Sequence, residues 1–307
     1  MKPESPAISR RHFLHATAIA AVLAPRYAPA ASAAVEADEV AILNDTHICG
    51  YESNGRIPPP AANLRAAVKQ LLARPKRLAA VIINGDIALT AGKPGDYRTF
   101  AALIAPLREA GLPVHLTLGN HDNRDEFARA FPDIRSATQL KEHRHNGIID
   151  LPNARLILLD SLKETPAAPG RLGDEQIAWL LQKADATPDK PVILVTHHNP
   201  KVGGDPMHFP GGMEDTDAFW PELVKRPQVK AYIHGHVHDW TLALHSGIHI
   251  INTLASSFVA SKATSTTGWT LARFHPDGVK LTIQTFLPDH PWNGESKWLY
   301  WRQVKKA

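Results

Sequence analysis

The sequence predicts a layered α/β domain containing two packed sheets, and three features predict it. Short apolar runs alternate with longer stretches of helical spacing between Val40 and Lys225. The last part of the chain changes to antiparallel strands around a hairpin turn, His275-Pro276-Asp277-Gly278. Polar side chains gather just after the apolar runs, where ligands bind in open α/β sheets.

Taken in order, Val40 to Asn44 is the first apolar run. Pro60 to Ala73 has helical spacing, with Leu64, Ala67, Val68, Leu71 and Leu72 on one face. Leu78 to Asn84 is the next strand, and Tyr97 to Ala110 a helix closed by Gly111. Val114 to Leu118, Arg155 to Leu159, Val192 to Thr196 and Val229 to His234 read as further strands, mostly apolar as strands covered on both faces are. Asp174 to Ala184 and Asp217 to Lys225 read as helices between them. "GIHIINTL" and "WTLARFHPDGVKLTIQTF" then supply antiparallel strands. No internal repeat and no low-complexity linker follows residue 33.

Composition narrows the function classes. Net charge is +4 and pI about 9.1, with Lys and Arg scattered, so no basic stripe marks a nucleic-acid partner. Seventeen histidines stand against one cysteine, Cys49, which excludes a disulfide scaffold and a cysteine zinc site. Cys49 is read as a small buried filler. His115, His208, His245 and His249 are read as core or surface residues.

Residues 1–33 read as a twin-arginine signal peptide, leaving 34–307 as one domain. Arg10-Arg11 is followed by Phe13 and Leu14, then by a weakly apolar stretch, Ile19 to Ala24, too short to span a bilayer. Ala31-Ser32-Ala33 offers a cleavage site, and Ala28-Pro29-Ala30 a second one. The alternative is an amphipathic helix that is retained. The expectation is export by the twin-arginine translocase to a periplasmic or secreted location, without a stable membrane anchor.

Five strands end in metal-ligand chemistry: Asp45-Thr46-His47, Gly85-Asp86, Gly119-Asn120-His121-Asp122, His197-His198 and Gly235-His236-Val237-His238. Each is weak alone; their order together is specific. Residues two apart at a strand end can both reach one ion when the backbone curls. Carboxylate, imidazole and amide donors without thiolate suit Mn, Fe or Zn.

This constellation resembles the calcineurin-like metallophosphoesterases, over roughly residues 38 to 260. The resemblance implies a four-layer α/β/β/α sandwich with a di-metal site at the strand ends. Asp45, His47 and His238 would hold one metal, Asn120, His197 and His236 the other, and Asp86 would bridge two divalent or mixed-valence ions. His121 would serve the leaving group, oriented by Asp122, and His198 would lie beside the substrate without being a primary ligand. A hydroxide shared by the ions would hydrolyse a phosphoester.

"GDIALTAGKPGDYRTFAALI" is similar to the class III cyclic-nucleotide phosphodiesterases and the bacterial glycerophosphodiesterases. Leu89 stands where purple acid phosphatases carry a metal-binding tyrosine, so a purple iron–tyrosinate site is not expected. His197-His198-Asn199-Pro200 departs from the family's His-His-Pro-Pro beside the substrate. A small phosphodiester is therefore the expected substrate. A phosphomonoesterase or nucleotidase is the alternative on the same metals, and a catalytically silent metal-binding protein the third. Oligomerisation is left open. The loop 201–220 reads as a substrate loop or a plain connection. The aromatics Trp292, Trp298, Tyr300 and Trp301 read as packed on the domain, with a dimer contact or lid as the alternative.

Overall fold

A computed structural model of the chain describes residues 35–50, 59–134, 136–138, 140, 143–203 and 211–303. The segment read as a signal peptide, the stretch 204–210 of the possible substrate loop and His208 lie outside the described residues.

Two six-stranded sheets form the centre. The first joins β1 (Val35–Asn44), β2 (Arg77–Asn84), β3 (Val114–Thr117), β10 (Gly268–His275), β11 (Gly278–Thr285) and β12 (Ser296–Tyr300) in the order β12-β11-β10-β1-β2-β3. Its β1, β2 and β3 are parallel, and the C-terminal strands extend it antiparallel from β1. The second joins β4 (Gly147–Asp150), β5 (Arg155–Leu158), β6 (Val192–Val195), β7 (Val229–His234), β8 (Thr241–His245) and β9 (Ile248–Asn252) in the order β4-β5-β6-β7-β9-β8. Here β5, β6, β7 and β9 are parallel.

Side-chain alternation makes four layers from these sheets. Ala41 and Leu43 of β1, with Val81 and Ile83 of β2, face helices α1 (Pro59–Leu72), α2 (Pro94–Glu109) and α3 (Arg124–Ala130). Their neighbours Val40, Ile42, Ala80 and Ile82 face the other sheet and meet Leu156, Ile193, Val195, Ala231 and Ile233. On the far side Ile157, Leu194 and Tyr232 pack on α4 (Asp174–Asp185) and α5 (Thr216–Val224). The order is helices, sheet, sheet, helices: the two packed sheets that the sequence predicts, in the four layers that the family resemblance implies.

The expected strands and helices are present within about three residues of their expected ends, except that β1 begins five residues earlier, at Val35 rather than Val40. The elements the sequence reading omits are β4, α3, β8 and β12. β4 has four residues and α3 seven, too short for a period to show. β8 and β12 are edge strands whose residues are almost all exposed, so no buried face alternates along them. The C-terminal aromatics divide: Trp301 is buried, whereas Trp298 and Tyr300 are exposed on β12. Cys49 is only half-buried, because the chain leaves the core beyond Ile48.

A buried polar chain ties the two sheets where the parallel strands end. Asn44, Asn84 and Thr117 are register neighbours at the ends of β1, β2 and β3. The Thr117 hydroxyl donates to Asn84 Oδ1 (2.7 Å). Asn84 Nδ2 donates to Asn44 Oδ1 and to the Thr196 carbonyl beyond β6, both at 2.9 Å. Asn44 Nδ2 donates to the Thr253 carbonyl beyond β9 (2.9 Å) and to the Thr253 hydroxyl. A fully satisfied buried network specifies one sheet-to-sheet register, and each partner left unpaired costs about 1–3 kcal/mol. Asn84→Ala is therefore expected to lower the unfolding free energy by about 3 kcal/mol. Urea denaturation should show a lower midpoint at unchanged slope. A loss under about 1 kcal/mol would show that this chain does not join the sheets.

Candidate active site

Five parallel strands deliver their following loops to one place. β1 leads into Asp45 and His47, β2 into Asp86, β3 into Asn120 and His121, β6 into His197 and His198, and β7 into His236 and His238. Asp45, His47, Asp86 and His238 each place a ligand atom within 4.8 Å of the others, and His197, His198 and His236 do the same. Asp86 Oδ2 stands between the two groups, 3.6 Å from His47 Nε2 and 3.3 Å from His197 Nε2. His47 Nε2 meets His238 Nε2 at 3.1 Å, and Asp45 Oδ1 lies 3.4 Å from His238 Nε2.

The backbone curls at these positions. Among the described residues, seven other than glycine have positive φ, and five belong to the site: Asp45 (53°), His47 (45°), Asp86 (47°), His236 (67°) and His238 (56°). Such left-handed residues cost of order 1 kcal/mol each and persist only where surroundings hold them. Main-chain bonds between the loops do so. The amide of His47 donates to the Asp86 carbonyl (2.9 Å), Ser257 to Asp45 (3.2 Å), Gly235 to His197 (3.1 Å) and Ala260 to His238 (3.0 Å). Two glycines make room: a Cβ on Gly85 would strike the His197 ring, and one on Gly119 the Asp86 carboxylate.

Backbone carbonyls also aim the rings. Nδ1 of His238 faces the Phe258 carbonyl at 2.8 Å, and Nδ1 of His197 faces Asn84 at 3.3 Å. A carbonyl requires N–H on Nδ1, which leaves each Nε2 lone pair for the centre. Asn120 Oδ1 is buried and accepts no hydrogen bond. Converging imidazole lone pairs, two carboxylates and an unpaired amide oxygen are what two borderline-hard cations need.

The charges agree. Burial raises the Asp86 carboxyl, but the charge and hydrogen bond of His197, then His47, outweigh it and hold it well below the usual range. Burial lowers His197, and Asp86 and Asp45 outweigh that, pushing it up to about 9. Burial and then His197 push His236 down to about 3; burial and then His236 hold His198 far below its ordinary value. Neutral imidazoles of this kind are metal donors or polar orienters.

Asp122 does not orient His121. His121 Nδ1 instead meets the Thr90 carbonyl at 2.9 Å. The Asp122 carboxylate accepts the amides of Gly119 (2.9 Å), Ile87 (3.2 Å) and Ala88 (3.1 Å) and the Tyr97 hydroxyl (3.2 Å). It points away from its neighbour and locks the β2 and β3 loops together. Burial, with the Asp86 charge behind it, pushes Asp122 up to about 7 despite these donors. His198 joins His197 and His236 rather than standing apart, with Ser161 Oγ on its Nδ1 at 2.7 Å.

Sequence reasoning misses Ser161 and Phe258. β5 also ends in polar residues, Asp160-Ser161, a signal of the same kind as at the other strands. Phe258 gives none, because it lies in the loop beyond β9 and reaches His238 and His47 only in three dimensions.

The model of the calcineurin-like phosphoesterase family matches residues 39–240, which contain every residue from Asp45 to His238. The chain is 29% identical over 272 residues to 3',5'-cyclic adenosine monophosphate phosphodiesterase CpdA of Vibrio vulnificus, covering 82% of this chain and 93% of that protein. It is 29% identical over 209 residues to glycerophosphodiester phosphodiesterase GpdQ of Enterobacter lignolyticus, covering 66% and 72%. A dimetal phosphatase from Danio rerio shares the fold with a TM-score of 0.65 at 16% identity, over 86% of this chain and 99% of that one.

The position of Asp86 between the groups sets an expectation for metal content. Asp86→Asn should deplete both ions, and Asn120→Ala mainly one, when metal is counted by mass spectrometry after gel filtration. Two tightly held ions in Asp86→Asn protein would show that this carboxylate is not shared.

Proposed function

The chain belongs to the calcineurin-like phosphoesterase family, and on that premise we propose that it hydrolyses a small phosphodiester at a two-metal centre. The observation that carries the reading is Asp86 Oδ2, 3.6 Å from His47 Nε2 and 3.3 Å from His197 Nε2, one carboxylate oxygen serving both groups. Diester preference is supported by relatives named for cyclic AMP and glycerophosphodiesters, to each of which the chain is 29% identical, over 272 and 209 residues respectively.

In this reading Asp45, His47 and His238 hold one ion, Asn120, His197 and His236 the other, and Asp86 both. Manganese, iron or zinc bound there supplies a nucleophile from water near neutral pH and neutralises charge on the phosphoryl oxygens. His121 sits at the mouth, its side chain 32% exposed and Nε2 4.0 Å from Asp86 Oδ2. The Thr90 carbonyl accepts from Nδ1–H and fixes the ring, so the proton that passes to the departing alkoxide is the second one, carried on Nε2 by the imidazolium form. His198, neutral and held by Ser161 and by the Tyr232 hydroxyl on its carbonyl (2.9 Å), orients the substrate side. Asp122 positions the loops and touches no substrate.

Mature protein loaded with Mn should hydrolyse bis-p-nitrophenyl phosphate and cyclic AMP better than p-nitrophenyl phosphate. The reverse order would favour the monoesterase or nucleotidase alternative.

General acid catalysis is worth roughly 10²–10⁴-fold where a leaving group needs the proton. His121→Ala should lose about that factor on alkyl or cyclic diesters and clearly less on nitrophenyl diesters, with both metals bound. Equal kcat/KM losses on the two classes would remove His121 from the leaving-group role.

Export is part of the proposal. Arg10 and Arg11, ahead of Phe13 and Leu14, support delivery to the periplasm by the twin-arginine translocase. Replacing both arginines with lysine should leave precursor in the cytoplasm, and normal periplasmic yield would overturn the assignment.

A further inference from the structure

Phe258 is an exposed aromatic ring stacked on the site. Its centroid lies 4.3 Å from that of His238 at 25° and 5.0 Å from that of His47 at 28°. One face is therefore spent on two histidines of the first metal group. The residue nevertheless remains 48% exposed. Among the described residues, it is the exposed large apolar side chain in ring contact with the site's histidines.

The loop that carries it is fixed. Ser256 and Ser257 donate their amides to the carbonyls of Asn44 (2.8 Å) and Asp45 (3.2 Å), and Ala260 to His238 (3.0 Å). Asn63 Nδ2 of α1 holds the Ser256 and Ser257 carbonyls at 2.8 and 3.1 Å. His121 meets His47 edge-on at 5.1 Å, so the proposed acid and the Phe258 ring share His47 as a neighbour at the mouth. Ring stability alone calls for a buried phenylalanine; a rigid, half-open one beside a reaction centre is a stacking platform.

We infer that Phe258 selects phosphodiesters bearing a flat aromatic group, a nucleobase, over glycerol-type esters, by stacking that group on its exposed face. The inference rests on the phosphodiesterase reading and decides between the two kinds of substrate that reading leaves. Stacking of a base on an aromatic side chain is worth about 5- to 150-fold in affinity.

The test compares ligands that differ only by the base. Adenosine 5'-monophosphate and ribose 5-phosphate are titrated calorimetrically into the Mn-loaded full protein, its Phe258→Leu variant and its Phe258→Tyr variant. Metal content is counted in each. Wild type should prefer the nucleotide by about tenfold. Phe258→Leu, which keeps the apolar cover and the carbonyl to His238 but not the flat ring, should bring the ratio close to one at full metal loading. Phe258→Tyr should retain the preference. Absence of a preference in wild type, its persistence in Phe258→Leu, or an equal weakening of both ligands with loss of metal would each overturn the inference. Hydrolysis of cyclic AMP and bis-p-nitrophenyl phosphate is assayed on the same wild-type sample. Failure there overturns the phosphodiesterase reading, whereas the binding ratio judges Phe258 by itself.

Discussion

The site depends on the left-handed backbone of its own ligands. Aspartate and histidine are short side chains, and on a continuing strand residues two apart share a face but stand about 6–7 Å apart along it, too far to close on one centre. Asp45 and His47, and His236 and His238, reach one centre because each leaves its strand at positive φ. That geometry is unfavourable for residues with a Cβ, so it must be imposed from outside. Neighbouring loops impose it: the amide of His47 is held by Asp86, and the amide of His236 by both oxygens of Asp45 at 3.2 Å. Each ligand loop is thus a support for the next, and the set stands or falls together.

Electrostatics make the same demand from another side. Asp45 and Asp86 are buried at 0 and 2% exposure, and a buried carboxylate needs a partner. In the protein alone the partner of Asp86 is the His197 imidazolium. Cations at the centre would serve both carboxylates and use the lone pairs that Phe258 and Asn84 carbonyls turn inward. Asp122 lies at the back of this charge; burial first and the Asp86 charge second raise it, while the three amides it gathers oppose that shift. The Asn44–Asn84–Thr117 chain does for the two sheets what Asp122 does for two loops.

The sequence discloses those parts of the structure that a period or a strand end encodes. The inner strands alternate between two apolar cores, so their runs are unmistakable, and the polar residue after each run marks the site. The edge strands β8 and β12 bury no face, so they carry no pattern. Residue type located Asp122 correctly beside the site but not its direction. Asp and His adjacent in sequence suggest a hydrogen-bonded pair, whereas the turn after Gly119 sends Asp122 down to Ile87 and Ala88 and His121 up to Thr90. Phe258 and Ser161 needed the fold itself, because what makes them part of the site is contact across the chain.

Burial divides the site into two kinds of position. From Asp45 to His238 the ligand residues are almost wholly enclosed, and the aspartates and histidines among them are braced by main-chain bonds or carbonyls that tolerate little change. The half-open residues are His121 and Phe258, both in ring contact with His47. The enclosed set lies within the family match, and Phe258 lies beyond residue 240 where that match ends. Chemistry common to a family belongs in the rigid floor, and choice of substrate belongs at a rim where a side chain can change without moving a ligand. Similarity to relatives named for cyclic AMP and for glycerophosphodiesters is what a shared floor produces. The difference between such substrates must then be read at the rim, where this chain places an aromatic ring.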